Sequence, residues 1–313
     1  MIKSDYKKEM LSLIVTVLNE ARTIEDFLLS CQKQTLKPSE LIIVDAQSSD
    51  NTVDLIKNFA KASSLKIRIF VKKGNRSVGR NFAVNNSRGQ WLAITDAGCV
   101  LDKNWLKELW FKQQESQALV LAGYYRGLAN SVFQEASIPY FLVMPERVKE
   151  DKFLPATRSM LIKKSLWKKM GGLNETLTYN EDYQFANRLK DQGIKIAFTK
   201  KALVYWLPPT NFKQFGQKIY DFAKGDAQAG LIRSKVYLIF GRYLIFFGIL
   251  LLFPNIYLIF SLMLLYLLWA MLKNLKYCPR SFFYLPLLQL LADWLIMLAT
   301  CKAIIQLNFF NKS

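Results

Sequence analysis

Up to Asp96, short apolar runs alternate with stretches of helical period. Residues 11–17, 41–44, 67–71 and 91–95 are mostly apolar, rich in Ile, Leu and Val, and of strand length. Between them, residues 23–34 place Ile24, Phe27, Leu28 and Cys31 on one face, and a helix starting near Thr52 turns Val53, Ile56, Phe59 and Ala60 inward. Residues 77–87 form a third helical stretch. Recurrence at three and four residues marks an amphipathic helix, and compact β-branched runs mark strands. Strands alternating with helices predict an α/β domain built on a parallel sheet with helices on both faces.

In such sheets ligands bind outside the carboxyl ends of the strands, so the residues just after each strand come first. Polar side chains gather there. Thr16, Asn19 and Glu20 close the first strand, Asp45 with Ser48, Ser49 and Asp50 the second, and Asp96 the fourth. The next stretch, 123–155, mixes aromatic with polar residues without a period and reads as a lid or acceptor-side loop with helical pieces. Residues 157–162 look extended, 167–172 end a short helix on a Gly-Gly pair, and 182–192 form a helix closed by Gly193. Phe212, Phe215, Ile219 and Phe222 recur at helical spacing beside Lys213, Lys218 and Lys224. That pattern fits a helix lying at a membrane interface, or one packed on the domain.

Three apolar runs follow, 236–253, 256–272 and 282–300, each of a length that crosses a hydrocarbon core about 30 Å thick. A single acid, Asp293, occurs after Asp226, and a lone acid among helix-packing residues pairs locally more often than it transports. The expected organisation is an α/β domain over 1–207, an amphipathic interface helix over 208–235 and about three transmembrane helices over 236–302.

Charge and composition then narrow the chemistry. Lys+Arg number 43 against 24 Asp+Glu, a net charge of +19. The basic residues are scattered and no nucleic-acid-binding signature accompanies them, so attraction to anionic lipid is the simpler account, with no nucleic-acid partner. No charged segment followed by an apolar stretch opens the chain, so no signal peptide is expected. The chain has no histidine, which excludes Ser-His-Asp triads and His-based metal sites. Cys31, Cys99, Cys278 and Cys301 lack metal-site spacing and read as small apolar fillers in a reducing compartment. Catalysis must rest on carboxylates, Lys, Arg, Tyr or backbone.

Four ordered segments carry a resemblance. "LSLIVTVLNEARTIEDFLLSCQKQT", "ELIIVDAQSSDNT", "VGRNFAVNNSRGQWLAITDAG" and "GGLNETLTYNEDYQFANRL" closely resemble the family 2 inverting glycosyltransferases, which have the GT-A nucleotide-diphospho-sugar transferase fold. The likeness spans about residues 11–230. Any one segment is weak; four in order, followed by membrane spans, are a strong signal.

The resemblance implies roles that can be set beside the plain chemistry. Asp45 can accept from a base imide N–H, which the resemblance makes uracil, or can hold an Asx turn. Asp50 reads as the cap of the helix at Thr52. Thr16 and Glu20 can bond the ribose or nucleotide. Leu18 stands where the family often has an aromatic residue, which argues against base stacking. Arg76 and Arg80 suit a diphosphate because guanidinium donates in a planar fork. Asp96-Ala97-Gly98 departs from the usual Asp-x-Asp, whose second acid ligates a divalent metal. Asp96 alone is a thin site for Mg²⁺ or Mn²⁺, so weak metal dependence is expected, with Arg or Lys carrying part of the leaving-group charge. Asp102 reads as the cap of the helix after Asn104.

Glu181-Asp182 opens a helix, where the dipole favours a carboxylate in any fold. The resemblance makes Asp182 the catalytic base, with Glu181 beside it, for in-line displacement at the anomeric carbon. A phosphate acceptor needs no base, so an intact Glu-Asp pair leans toward a hydroxyl on a lipid or lipid-linked glycan over a polyprenyl phosphate. The Gln-x-x-Arg-Trp motif of processive synthases is absent, which favours single addition. The expectation is a hexosyltransferase of the cell envelope, anchored in the plasma membrane with its catalytic domain cytoplasmic and fed by a nucleotide-diphospho-sugar, UDP-linked by family default. A catalytically inactive nucleotide-binding or scaffold relative is the alternative that Gly98 motivates. A nucleotidyltransferase would be expected to carry a Gly-rich phosphate loop near the amino terminus, and none appears.

Overall fold

The structure, a computed structural model, describes residues 11–310. The amino-terminal residues on which the signal-peptide expectation bears lie outside them. The chain divides into two compact units, residues 1–126 with 145–207 and residues 127–144 with 208–313.

The first unit runs β1 (Leu11–Val17), α1 (Ile24–Gln32), β2 (Glu40–Asp45), α2 (Thr52–Ala62), β3 (Ile67–Val71), α3 (Arg76–Asn86), β4 (Trp91–Thr95), β5 (Cys99–Leu101), α4 (Trp105–Ser116) and β6 (Val120–Gly127). After α5 (Val132–Phe141), which belongs to the second unit, it continues with β7 (Ser159–Lys163), α6 (Lys164–Lys169), α7 (Glu181–Asp191) and β8 (Ile196–Trp206). These strands form one eight-stranded sheet in the order β3-β2-β1-β4-β7-β6-β8-β5.

The expected parallel pattern holds for β3, β2, β1 and β4. The other half is mixed. β7 runs antiparallel to β4, with Thr95 opposite Ser159, and β6 runs antiparallel to β7. β5 pairs antiparallel with β8, placing Cys99 opposite Trp206. β5, β6 and β8 went unread as strands for separate reasons. β5 has three residues, β6 begins the stretch expected to be irregular, and Lys200 and Lys201 interrupt β8.

β1, β2 and β4 are buried along nearly their whole length, as strands covered on both faces must be. Ile14, Ile42, Val44, Leu92 and Ile94 pack with Ala83 and Val84 of α3 and with Trp167, Phe185 and Leu189. At the amino ends of β1 and β2, buried Glu40 accepts from Ser12 Oγ at 2.6 Å, from the Arg88 amide at 2.6 Å and from Arg68 at 2.9 Å. Arg68 also donates to the Asn86 carbonyl at 2.8 Å. The ordinary structural end of the sheet is thus closed by a saturated polar cluster.

The second unit holds α5, α8 (Phe212–Gln228), α9 (Ser234–Leu252), α10 (Ile256–Leu275) and α11 (Tyr284–Phe310). Phe215 and Ile219 of α8 are buried against Phe133 and Ala136 of α5 and Leu285, Leu288 and Ala292 of α11. The apolar face of α8 is therefore covered by protein. Among the described residues, three helices are long and apolar enough to cross a membrane, Ser234–Leu252, Ile256–Leu275 and Tyr284–Gln306. Leu244, Ile245 and Leu251 on α9 and Tyr257, Leu264 and Leu265 on α10 face outward. Asp293 is fully buried and pairs locally, as expected. Its carboxylate takes Arg242 of α9, Tyr266 of α10 and Gln289 one turn back on α11, so one acid ties three spans together.

Candidate functional site

The site grows from how α3 meets the sheet. Gly74 supplies a backbone with φ +148°, and Asn75 caps α3 by accepting from the Val78 amide at 3.1 Å. Gly79 then lets the helix press onto β1, since a Cβ there would come within 2.7 Å of Thr16 Cγ2. Arg80, the next residue, is carried into the interior and is 2% exposed.

Arg80 donates to Asp96 Oδ1 at 2.6 Å and to Glu181 Oε1 at 2.6 Å. One guanidinium fork thus joins the end of β4 to the start of α7. Asp96 Oδ2 faces a second arginine, Arg158, whose Nε stands 3.6 Å away. Arg158 is fixed by its surroundings: its guanidinium lies 5.2 Å from the Tyr125 ring centroid and 5.0 Å from that of Trp206. Its carbonyl accepts from Thr95 Oγ1 at 2.9 Å, which ties it to β4.

Burial works to raise the Asp96 pKa, but Arg80, Arg158 and Arg76 outweigh it and hold the carboxyl below its usual range. Glu181 goes the other way. Its desolvation, with Asp182 adjacent, pushes it up against the opposing pull of Arg80 and Arg76. Arg76 is exposed one turn before Arg80 and acts on both acids through its charge.

Asp182 is partly exposed at the first turn of α7. Its Oδ1 accepts from the Tyr183 amide at 2.8 Å and its Oδ2 lies 3.4 Å from the Thr157 amide. A carboxylate so held keeps lone pairs directed outward and can accept a proton.

The other expected residues lie on the β1 and β2 loops. Asp45 is buried and accepts from the Gln47 and Ser48 amides at 3.0 Å each and from Ser48 Oγ at 2.5 Å, an Asx turn. Asp50 accepts from the Thr52 and Ala21 amides, so it braces the start of α2, whose N-cap is Asn51 and not Asp50 as expected, and clamps the β1 loop. Thr16 presents its methyl to Gly79. Glu20 donates its amide to Thr52 Oγ1 at 2.8 Å and accepts from Thr23 Oγ1 at 2.6 Å. Its carboxylate oxygens lie 3.9 Å from where a Cβ on Gly98 would stand, so Glu20 adjoins the space that a second motif acid would fill. The structure therefore gathers Arg80, Asp96, Glu181 and Asp182 into one cluster, with Glu20 beside Gly98 and Asp45 in the neighbouring loop.

A family model, glycosyl transferase family 2, matches residues 12–169, about half of the chain. The chain belongs to glycosyl transferase family 2. Among curated members, the cholesterol galactosyltransferase of Borreliella burgdorferi is 23% identical over 226 residues, 67% of this chain and 62% of that protein. Glycosyltransferase GlyG of Streptococcus pneumoniae is 25% identical over 119 residues, 37% of this chain and 39% of its own. The chain thus spans less than two thirds of either relative. Among solved structures, the mannosyltransferase PcManGT from Pyrobaculum calidifontis, in complex with GDP-Man and Mn²⁺, superposes with a TM-score of 0.58 at 18% identity, covering 71% of this chain and 63% of that one. S. aureus TarS in complex with UDP-GlcNAc gives 0.53 at 18% identity, with 70% and 66% covered. These likenesses establish the GT-A-like fold.

The family 2 fold explains why Arg158 escaped the sequence reading. In a parallel sheet the site residues follow strands. β7 is antiparallel to β4, so the residue that precedes it falls beside Asp96. By the same logic β6, antiparallel to β7, carries Tyr125 to this end of the sheet. The only signal was an arginine at the entry of the extended stretch 157–162, which becomes legible once the strand's direction is known.

A divalent ion needs several oxygens at about 2.0–2.6 Å. Asp96 offers two, and both face guanidinium groups. Gly98 offers none, and among the described residues no group of three or more His, Cys, Asp or Glu is placed to hold a metal. The donor set does not fit a divalent cation well.

Proposed function

We propose that this family 2 member is a membrane-anchored inverting glycosyltransferase. It moves a hexosyl unit from a nucleotide-diphospho-sugar, UDP-linked by the family pattern, to a hydroxyl on a lipid or lipid-linked glycan of the cell envelope. The observation that carries the reading is the placement of Asp182, a partly exposed carboxylate directly beside the Arg80–Asp96–Glu181 cluster. The acceptor hydroxyl gives its proton to Asp182 as its oxygen attacks the anomeric carbon from the side opposite the diphosphate. Arg80 holds Asp96 and Glu181 apart and in place, while the Asp45 loop and Glu20 border the nucleotide end.

The relatives' names support the class of reaction: one is a cholesterol galactosyltransferase, another the poly(ribitol-phosphate) β-N-acetylglucosaminyltransferase TarP of Staphylococcus aureus. TarS was solved with UDP-GlcNAc. The basic 273–280 loop, bearing Lys273, Lys276 and Arg280, favours the cytoplasmic side. Together with three spans, this supports a reading in which the α/β domain lies in the cytoplasm at the plasma membrane.

Asp182→Asn keeps the shape and removes the proton acceptor. In the full-length protein it should bind UDP with near-normal affinity and lose about 10²-fold or more in transfer to a hydroxyl acceptor. Transfer at the wild-type rate would remove Asp182 as base and favour a phosphate acceptor. Gly98 motivates a second reading, a nucleotide-binding relative without turnover. Wild-type protein that binds UDP and consumes none of a panel of UDP- and GDP-sugars would support it.

A further inference from the structure

Asp96 stands where the family motif seeks a metal, and arginines face both of its oxygens. Asp96 sits between Arg80 and Arg158, and Arg76 adds its charge from the first turn of α3. Arg80 spends both terminal nitrogens on protein carboxylates. Arg158 does not. No hydrogen bond to its terminal nitrogens occurs among the described residues, and its side chain keeps 18% exposure. Its Nε has no hydrogen-bond partner and reaches Asp96 only at 3.6 Å. Stacking on Tyr125 and Trp206 nonetheless fixes the plane of the guanidinium. The result is a pre-oriented, partly desolvated fork with donors to spare, next to the strand end where the donor must bind.

We propose that Arg158 is the cation that meets the donor's diphosphate, in place of the metal that Gly98 leaves without a second acid. This rests on the nucleotide-sugar reading above and names the group that stabilises its leaving group. In the transfer step the acceptor oxygen bonds to the anomeric carbon and the bond from that carbon to the phosphate oxygen breaks. The electron pair departs with the nucleoside diphosphate and the acceptor proton passes to Asp182. The charge that grows on the departing phosphate falls to Arg158, whose fork matches two phosphate oxygens, with Arg76 beside it. A donor already fixed where charge develops costs no reorganisation during reaction, and losing one such donor typically costs about 10²–10³ in rate. Divalent ions then become dispensable.

Binding to the full-length protein in detergent tests this without needing turnover. UDP and UMP are titrated in EDTA and again in excess Mn²⁺. Wild-type affinity for UDP should change less than about threefold between the two conditions. Arg158→Gln should weaken UDP by about tenfold or more in EDTA while leaving UMP within about twofold, and Arg158→Lys should recover part of the loss. Gly98→Asp has room, meeting only Glu20 at ordinary contact distance, and should make UDP binding rise with Mn²⁺. Should Arg158→Gln prove poorly folded, the wild-type and Gly98→Asp titrations still decide. UDP binding by wild type that vanishes in EDTA and returns with Mn²⁺ would overturn the proposal and leave the donor reading standing. Failure to bind UDP under either condition would overturn the UDP-linked donor reading, and this inference with it.

Discussion

The first unit contains two buried arginine–carboxylate clusters, at opposite ends of the same strands, and they are built to different rules. At the amino ends, Glu40 takes a hydroxyl, a backbone amide and Arg68, and Arg68 goes on to a backbone carbonyl. At the carboxyl ends, Arg80 gives its two terminal nitrogens to Asp96 and Glu181, whereas the next arginine out, Arg158, is held by aromatic rings at a long distance from its acid. Hydrogen bonds to backbone tie Glu40 into the sheet, whereas the Arg80 cluster links side chains across elements. A cation hydrogen-bonded to both a carboxylate and a backbone carbonyl, as Arg68 is, holds a fold together; one oriented by aromatic rings without such bonds, as Arg158 is, is ready to hold something else.

Arg80 should show the largest effect, because it is the one cation shared by Asp96 and the buried Glu181. Arg80→Met leaves Glu181 buried without its charge partner, a situation that typically costs about 3–5 kcal/mol. Transfer should be lost together with a marked drop in thermal midpoint of the full-length protein. A variant that unfolds near the wild-type temperature would show that Arg80 does not offset the burial of Glu181. Glu40→Gln ranks next. It keeps the Ser12 contact while weakening the link to Arg68, and loss of a buried charge-assisted bond is worth about 1–3 kcal/mol. Specific transfer activity per folded molecule should stay unchanged, since the cluster lies at the far end of the strands from Asp96. A selective fall in activity would break the division into structural and functional ends.

Why one half of this picture was legible in the sequence follows from the same geometry. β1 to β4 announce themselves because buried parallel strands are continuous apolar runs, and their carboxyl ends deliver Thr16, Glu20, Asp45 and Asp96 by a simple rule. Glu181 and Asp182 were visible as acids opening a helix. Arg80 was visible as a family-like arginine, but its sequence neighbourhood says nothing of burial. That depends on Gly79 admitting α3 to within touching distance of Thr16. Arg158 was not legible, since its position is set by the antiparallel entry of β7, a property of pairing and not of local pattern. β8 was lost for a related reason. Lys200 and Lys201 are exposed at mid-strand, which interrupts the apolar run although Ala202 and Val204 beyond them are buried.

The smallest effect, and the finest test of the contrast, is the pH dependence of stability. Glu40 and Asp96 are both held below their usual range; in each case burial works to raise the pKa, and for Glu40 the Arg88 amide, Ser12 and Arg68 outweigh it, as the arginines do for Asp96. For a depressed carboxyl, the stabilisation is complete above the unfolded pKa, about 3.9 for Asp and 4.3 for Glu, and is lost as pH falls through the folded value. Glu181 is raised by burial, so the folded state binds its proton more readily than the unfolded chain. Its effect has the opposite sign: stability declines as pH rises from about 4.3 through the folded value, and recovers on acidification over the same window. The thermal midpoint of the full-length protein should therefore rise slightly on moving from neutral toward mildly acidic pH, then fall steeply below about pH 4. Glu181→Gln should remove the slight rise and leave the steep fall, whereas Glu40→Gln should make the fall shallower and leave the rise. If Glu181→Gln instead makes the acid fall shallower, Arg80 holds Glu181 ionised, and the carboxyl-end cluster is as fully paired as the one at the amino ends.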